Sequence, residues 1–206
     1  MTGVQTCALP ILKHNKKRNT AFLFESLTKE LTKAIVAKDE KRKSLVLAII
    51  KEHFKKGENY IVVCNHNSFM DVPLSSPGIP GANKTIAKIE MSRIPLFGII
   101  YKRGSVLINR KDEQSRKESY QKMKDVLDMG IHMCIYPEGT RNKTPEPMKP
   151  FHDGAFRLSF ETGKYIIPAI IRGTKEMLPT NKTLFFWPGK ISMEFLSPID
   201  PTKFND

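Results

Sequence analysis

The stretch CNHNSFMDVP (64–73) sets a histidine and an aspartate five positions apart, His66 and Asp71. Such a pair can serve structure, bind a metal, or form a base with its orienting carboxylate. If Asn67 opens a helix or turn, the spacing brings both side chains toward one face. The carboxylate then accepts from one ring nitrogen, fixes the tautomer and leaves the other nitrogen free to take a proton. The plain alternative is a helix-capping aspartate beside a surface histidine, which the pair alone does not exclude. Zinc is disfavoured, because His14, His53, His132 and His152 show no ligand spacing and the cysteines form no C-x2-C. A serine nucleophile is disfavoured too, since there is no G-x-S-x-G elbow.

Two other stretches carry anion chemistry. YPEGTRN (136–142) holds Glu138, Gly139, Thr140 and Arg141. A glycine lets backbone approach a ligand closely, and the neighbouring arginine offers a planar fork for phosphate. The alternative is a polar turn with a solvated ion pair. RGSVLINR (103–110) puts Arg103 and Arg110 at the two ends of a candidate strand, where Arg110 is either a second phosphate ligand or a surface charge.

The elements that must position these residues are legible in outline. YIVVCNH is a short β-branched run suited to a buried parallel strand. NKTIAKIE, SVLINR, IHMCIYPEG, YIIPAIIRG and KISMEFLSPI read as further strands. Between them, SRIPLFGIIYK reads as a helix or broken helix and GAFRLSFETG as a short helix closed by Gly163. EQSRKESYQKMKDVLDMG has Tyr120, Met123, Val126 and Leu127 on one helical face, with Gly130 as its stop. Strands alternating with helices predict an α/β fold with a mostly parallel central sheet flanked by helices. In such sheets ligands sit at the carboxyl ends of strands, where both NHNSFMD and PEGTR fall.

Ahead of this domain, which starts at Gly57 and runs to residue 206, lies a segment of different character. Residues 1–11 carry no charge and no periodicity, and are expected to be unstructured or artefactual. Residues 12–56 show two amphipathic stripes (Phe24, Leu27, Leu31, Ile35; Val46, Ile50, Phe54), which predict an N-terminal helical hairpin. Its stripes are narrow and it has no Trp or Tyr for a headgroup boundary. It reads as foreign to the domain rather than as an interfacial anchor, with deletion of 1–56 expected to leave the His66–Asp71 site folded.

The net charge of +13 implies a polyanionic partner: nucleic acid, anionic lipid or an acidic carrier protein. Residues 12–56 contribute +8 (13 Lys/Arg, 5 Asp/Glu) and residues 57–206 contribute +5 (21 against 16). A nucleic-acid domain would need basic residues interleaved with aromatics on one face, and the domain has no such stripe. The longest apolar runs, such as LVLAII and YIIPAII, fall far short of a membrane span. Contact with a membrane would then be peripheral, through apolar surface around IPLFGIIY (94–101). Three cysteines of irregular spacing (Cys7, Cys64, Cys134) argue against a disulfide framework and for a reducing compartment.

In order along the chain, NHNSFMD, GSVLINR, PEGTR and IIPAI (166–170) resemble the four motif blocks of the 1-acylglycerol-3-phosphate acyltransferases, and KIEMSRIPLFG (88–98) is similar to a segment between the first two. The resemblance covers roughly residues 57–200. It implies that His66 is the general base for an acceptor hydroxyl and Asp71 its orienting partner. Glu138, Gly139, Thr140 and Arg141 would belong to the acceptor site, with Arg110 and Arg141 on the glycerol phosphate and Pro168 against the acyl chain. The implied reaction moves a fatty acyl group from a thioester, acyl-CoA or acyl carrier protein, to the sn-2 hydroxyl of lysophosphatidate, giving phosphatidate. No cofactor or metal is implied, and the implied location is peripheral, on the cytoplasmic face of the cell membrane. Two positions depart from the family pattern: Asn109 stands where an acidic residue is common, and Asp153 where a lysine often precedes the glycine. Three alternatives remain: the same fold acylating another lipid hydroxyl, a thioesterase, and a basic nucleic-acid-binding domain.

Overall fold

A computed structural model describes residues 53–94, 97–179 and 189–204. The hairpin expected over 12–56 therefore lies outside the described residues except at its last four positions. A six-stranded sheet of order β3-β2-β4-β1-β5-β6 forms the centre. Its strands are β1 (Ile61–Cys64), β2 (Asn83–Lys88), β3 (Ser105–Ile108), β4 (His132–Ile135), β5 (Ile166–Arg172) and β6 (Ser192–Phe195). All neighbours pair in parallel except β5 and β6, which are antiparallel. This is the predicted α/β architecture.

The strand order explains where the helices go. From β1 to β3 the chain moves toward one edge of the sheet, and from β3 to β6 it returns toward the other. Right-handed crossovers in opposite directions must lie on opposite faces. Accordingly α1 (Asp71–Gly78) and α2 (Phe97–Gly104) belong to the outward path, and α3 (Glu113–Asp128) and α4 (Gly154–Thr162) to the return. Met123, Val126 and Leu127 of α3 and Phe156 and Leu158 of α4 pack on Ile61, Val63, Met133 and Ile135. The other face gathers Val62, Cys64, Cys134, Tyr136 and Ile167, with Val72 of α1 against them. Neighbouring positions of β1 thus feed different cores, as the period of two requires. Burying each such side chain stabilises by about 1.5–3 kcal/mol.

β1 is one of the two central strands, paired with β4 on one side and β5 on the other, and all four of its residues are buried. That makes a rigid post for the residues just beyond it. Cys64 and Cys134 are free thiols packed as small apolar groups in the second core.

Phe54 refines the reading of the N-terminal segment. Its ring meets Tyr60, His132 and Phe195 edge-on, at centroid distances of 5.5, 5.5 and 5.0 Å. A residue counted in the second amphipathic stripe is therefore part of the α/β core. Truncation at 56 would remove it, whereas truncation at 52 would not. Phe54→Ala is expected to cost about 2 kcal/mol in urea unfolding, less than a fully buried Phe because the ring is partly exposed. No change in midpoint would show that the aromatic cluster contributes nothing.

Candidate active site at the carboxyl ends of β1 and β4

The chain leaves β1 through Asn65, whose buried side chain continues the pairing with β5. Its Nδ2 donates to the Ile171 carbonyl (2.9 Å) and its Oδ1 accepts from Ile171 N–H (2.7 Å). His66 follows and is held at both backbone polar groups. Its N–H donates to Glu138 Oε1 (2.7 Å), and its carbonyl accepts from Asn142 N–H (2.6 Å).

The turn then brings Asp71, the first residue of α1, back under the ring. Asp71 Oδ2 lies 2.9 Å from His66 Nδ1 and accepts the N–H groups of Asn67 (2.6 Å) and Ser68 (2.7 Å). The carboxylate is fully buried, while the His66 side chain keeps 17% of its surface exposed. Two backbone donors orient the carboxylate, and the carboxylate in turn orients the ring. With Nδ1 engaged as a donor, Nε2 is the nitrogen left to take a proton. The Tyr136 ring packs at 4.5 Å from the imidazole and fixes its plane. This is the base-and-orienter geometry, not a helix cap: the carboxylate serves the loop before α1 and the histidine together.

Glu138 is tied down at both carboxylate oxygens. It is buried, and its two oxygens accept backbone N–H groups from His66 (2.7 Å) and Lys149 (3.0 Å). Burial pushes its carboxyl above the ordinary carboxylate range, and those two bonds oppose the rise. Glu138 therefore locks two loops rather than reaching into open space. Glu138→Gln turns one acceptor oxygen into a donor facing an N–H group. A loss of about 1–3 kcal/mol in chemical denaturation is expected, and unchanged stability would remove this clamp from the description.

Beside the imidazole opens a cavity of about 570 Å³. Its charged walls are all basic: Lys88, Arg110, Arg141, Lys143 and Lys149. Phe69, Val72, Ile86 and Met91 supply apolar wall. The Arg141 guanidinium lies over the Phe69 ring at 3.4 Å, and Arg110 Nη1 donates to the Gly139 carbonyl. Desolvation lowers the pKa of both arginines, though the Asp71 charge raises that of Arg141. Among the described residues neither makes an ion pair with a carboxylate. Two partly desolvated cations with no ion-paired carboxylate among the described residues favour an anionic ligand. Gly139 has a left-handed φ of 72°, which favours glycine, and a Cβ there would also meet the exposed His152 ring at 2.8 Å, a contact that ring could move to relieve. Thr140 lines the same cavity and accepts from Lys149 Nζ.

Of the sequence candidates, His66, Arg110, Gly139, Thr140 and Arg141 thus line one cavity, with Asp71 buried behind the histidine. Pro168 does not line it. It lies buried in β5 opposite Val63, and its carbonyl accepts from Leu196 N–H (2.8 Å). An interior strand between β1 and β6 keeps it from the cavity mouth. Sequence reasoning missed Lys88, Lys149, Asn65 and Asn142. Asn65 and Asn142 could have been suspected as polar residues flanking HNSFMD and EGTR. Nothing local marks Lys149.

A second cavity of about 730 Å³ opens between α3 and α4, sharing Ile86, Arg110 and Gly139 with the first.

A 1-acyl-sn-glycerol-3-phosphate acyltransferase of Chlamydomonas reinhardtii is 31% identical over 147 residues, 71% of this chain and 44% of that protein. One from Cocos nucifera is 34% identical over 145 residues, 68% of this chain and 45% of that protein. The chain thus spans less than half the length of these two relatives. The crystal structure of a 1-acyl-sn-glycerophosphate acyltransferase from Thermotoga maritima shares the fold, with a TM-score of 0.60 at 24% identity over 90% of this chain and 85% of that one. A family model described as Acyltransferase matches residues 46–172, beginning ahead of Gly57. With that match spanning more than half of the 206 residues, the chain belongs to the acyltransferase family.

Proposed function

We propose that the protein transfers a fatty acyl group from a thioester to the sn-2 hydroxyl of 1-acylglycerol 3-phosphate, forming phosphatidate. The observation that carries this reading is a histidine paired with a buried aspartate, in a cavity whose charged walls are all cationic and whose remaining walls are largely apolar. An acceptor bearing a phosphate and an alkyl chain matches both. The names of the relatives support the same acceptor.

In the reaction, His66 Nε2 removes the hydroxyl proton as the acceptor oxygen attacks the thioester carbonyl. The C–O bond forms, the C–S bond breaks, and the departing sulfur recovers the proton from the imidazolium as a thiol. The Asp71 carboxylate stabilises the imidazolium between these steps. No acyl-enzyme is required, so no nucleophilic side chain is needed beside His66.

The donor is acyl-CoA or acyl carrier protein, and we place the reaction at an anionic membrane surface on the cytoplasmic side. No described helix is long and apolar enough to cross a membrane. Among the described residues, Phe69, Ile94, Ile99 and Ile100 are exposed large apolar side chains, 40–65% open to solvent, on the elements that wall the first cavity. Such a patch, with Lys102 and Arg103 beside it, suits a lipid surface.

Arginine substitutions test the acceptor assignment. Losing a charge-assisted bond costs roughly 1.5–3 kcal/mol, about 10–150-fold. Arg110→Ala or Arg141→Ala should raise the acceptor KM by that factor while the donor KM changes little. Arg141→Lys should rescue in part, because a point charge cannot reproduce the planar fork. Equal losses toward both substrates would instead give these arginines a structural role. A panel of lipid alcohols without phosphate separates this acceptor from others: turnover as fast as with lysophosphatidate would sink it.

A further inference from the structure

We propose that the second cavity receives the phosphopantetheine arm of the acyl donor, so that donor and acceptor enter from opposite faces of the sheet. The inference rests on the acyl-transfer reading of the His66 site and adds where the water-borne substrate sits. Coenzyme A and a carrier protein share this arm, a long thiol ending in a phosphate, so one site can serve either.

Three observations carry it. The first is position. The two cavities share Ile86, Arg110 and Gly139 as a common ridge. Gly139 adds no side chain to that ridge, leaving Arg110 as its one long polar group. A thioester lying in the second cavity therefore needs to cross only this ridge to reach the imidazole. The second is chemistry. The floor is apolar, with Ile108, Met123 and Ile135, and the rim carries Arg116, Lys117 and Arg157 besides Arg110. Glu113 and Asp153 oppose these four cations, leaving the lining at +2. Among the described residues Lys117 is held only by an exposed ion pair with Glu113, with side chains 71% and 70% open to solvent. Such a pair is worth little and yields readily to a phosphate. A volume of about 730 Å³ suits a ligand of this size.

The third is the contrast between faces. The first cavity lies on the α1–α2 side, where the exposed isoleucines of α2 stand. Exposed Met129, just past α3, and Tyr165, just before β5, do not line the second cavity, and no described large apolar side chain of its lining is exposed. A lipid acceptor is met on the first side, and the second is left to water. The two substrates differ in the same sense.

The test uses the full chain. Lys117→Glu alters an exposed residue that pairs with Glu113, and the double variant Arg116→Glu, Lys117→Glu reverses more of the rim. Arg116 also donates to the Arg110 carbonyl (2.9 Å), so the single variant is the cleaner probe. Calorimetric binding of coenzyme A and of 4′-phosphopantetheine is measured without turnover, and KM is measured for acyl-CoA, acyl carrier protein and lysophosphatidate. The single variant is expected to weaken both small ligands about tenfold, the lower bound for one charge-assisted contact, with an equal rise in donor KM and an unchanged acceptor KM. A rise for one thioester donor and not the other supports the site and identifies the carrier. Unchanged binding of both small ligands overturns the proposal, as does loss for coenzyme A with none for phosphopantetheine, since the rim would then read only the nucleotide. Binding lost in the variant while wild type shows no acyl transfer would leave this site standing and remove the reaction assigned to His66.

Discussion

Replacing His66 with alanine is expected to lower acyl transfer about 10²–10⁴-fold, the usual contribution of a positioned general base. The fold should survive. The side chain is partly exposed, and both backbone bonds of residue 66, to Glu138 and Asn142, remain available to alanine. Among the described residues, neither His132 nor His152 is placed to take over. His132 lies at the opposite end of β4, where its Nδ1 accepts from Tyr60 N–H (2.9 Å). Desolvation lowers its pKa, and its Nδ1 is already occupied by that bond. His152 lies across Gly139 in the lining of the second cavity. An alanine variant with unaltered melting and more than a tenth of wild-type turnover would remove His66 from the chemistry.

Asp71→Asn should be nearly as damaging to rate, for a different reason. The carboxylate oxygen that meets His66 Nδ1 also accepts two backbone N–H groups, so an amide oxygen can occupy the same place and preserve the turn. What disappears is the negative charge that stabilises the imidazolium and holds the tautomer, worth up to about 10⁴-fold in a histidine-base site. The variant is therefore expected to lose kcat with little change in either KM. The other oxygen, Oδ1, is buried with no hydrogen-bond partner among the described residues. An amide NH2 there would also be unpartnered, so a stability loss of about 1–3 kcal/mol should accompany the rate loss. Asp71→Ala should be worse in stability, because the N–H groups of Asn67 and Ser68 lose their acceptor. If Asp71→Asn kept wild-type kcat, the carboxylate would be a loop brace and nothing more.

These two residues were legible in the sequence because their partnership is local. A carboxylate five positions from a histidine, past the end of a β-branched strand, needs only one turn to close. The strands were legible for a similar reason: runs such as IVVC and IIPAII admit few other uses once length excludes a membrane span. Non-local roles were hidden. Glu138 reads as a ligand in EGTR, but its partner is a backbone N–H 72 residues away, and a backbone bond leaves no trace in residue types. Lys88, at the end of β2, joins Arg110 and Arg141 in one cavity only because the sheet order places β2 next to both β3 and β4. Pro168 is hidden in the reverse sense: its motif position gives no sign that the parallel pairing with β1 buries it away from the first cavity. Phe54 belongs to the core despite lying in a stripe that looked separate, since helical periodicity does not say which surface a stripe meets.

The most direct measurement follows a radiolabelled acyl thioester with purified full-length protein, in the presence and absence of lysophosphatidate. Direct transfer predicts label in phosphatidate, thiol release matched one-to-one to that product, and no release when the acceptor is omitted. Thiol released at the same rate without acceptor, or label retained covalently on the protein, would contradict it.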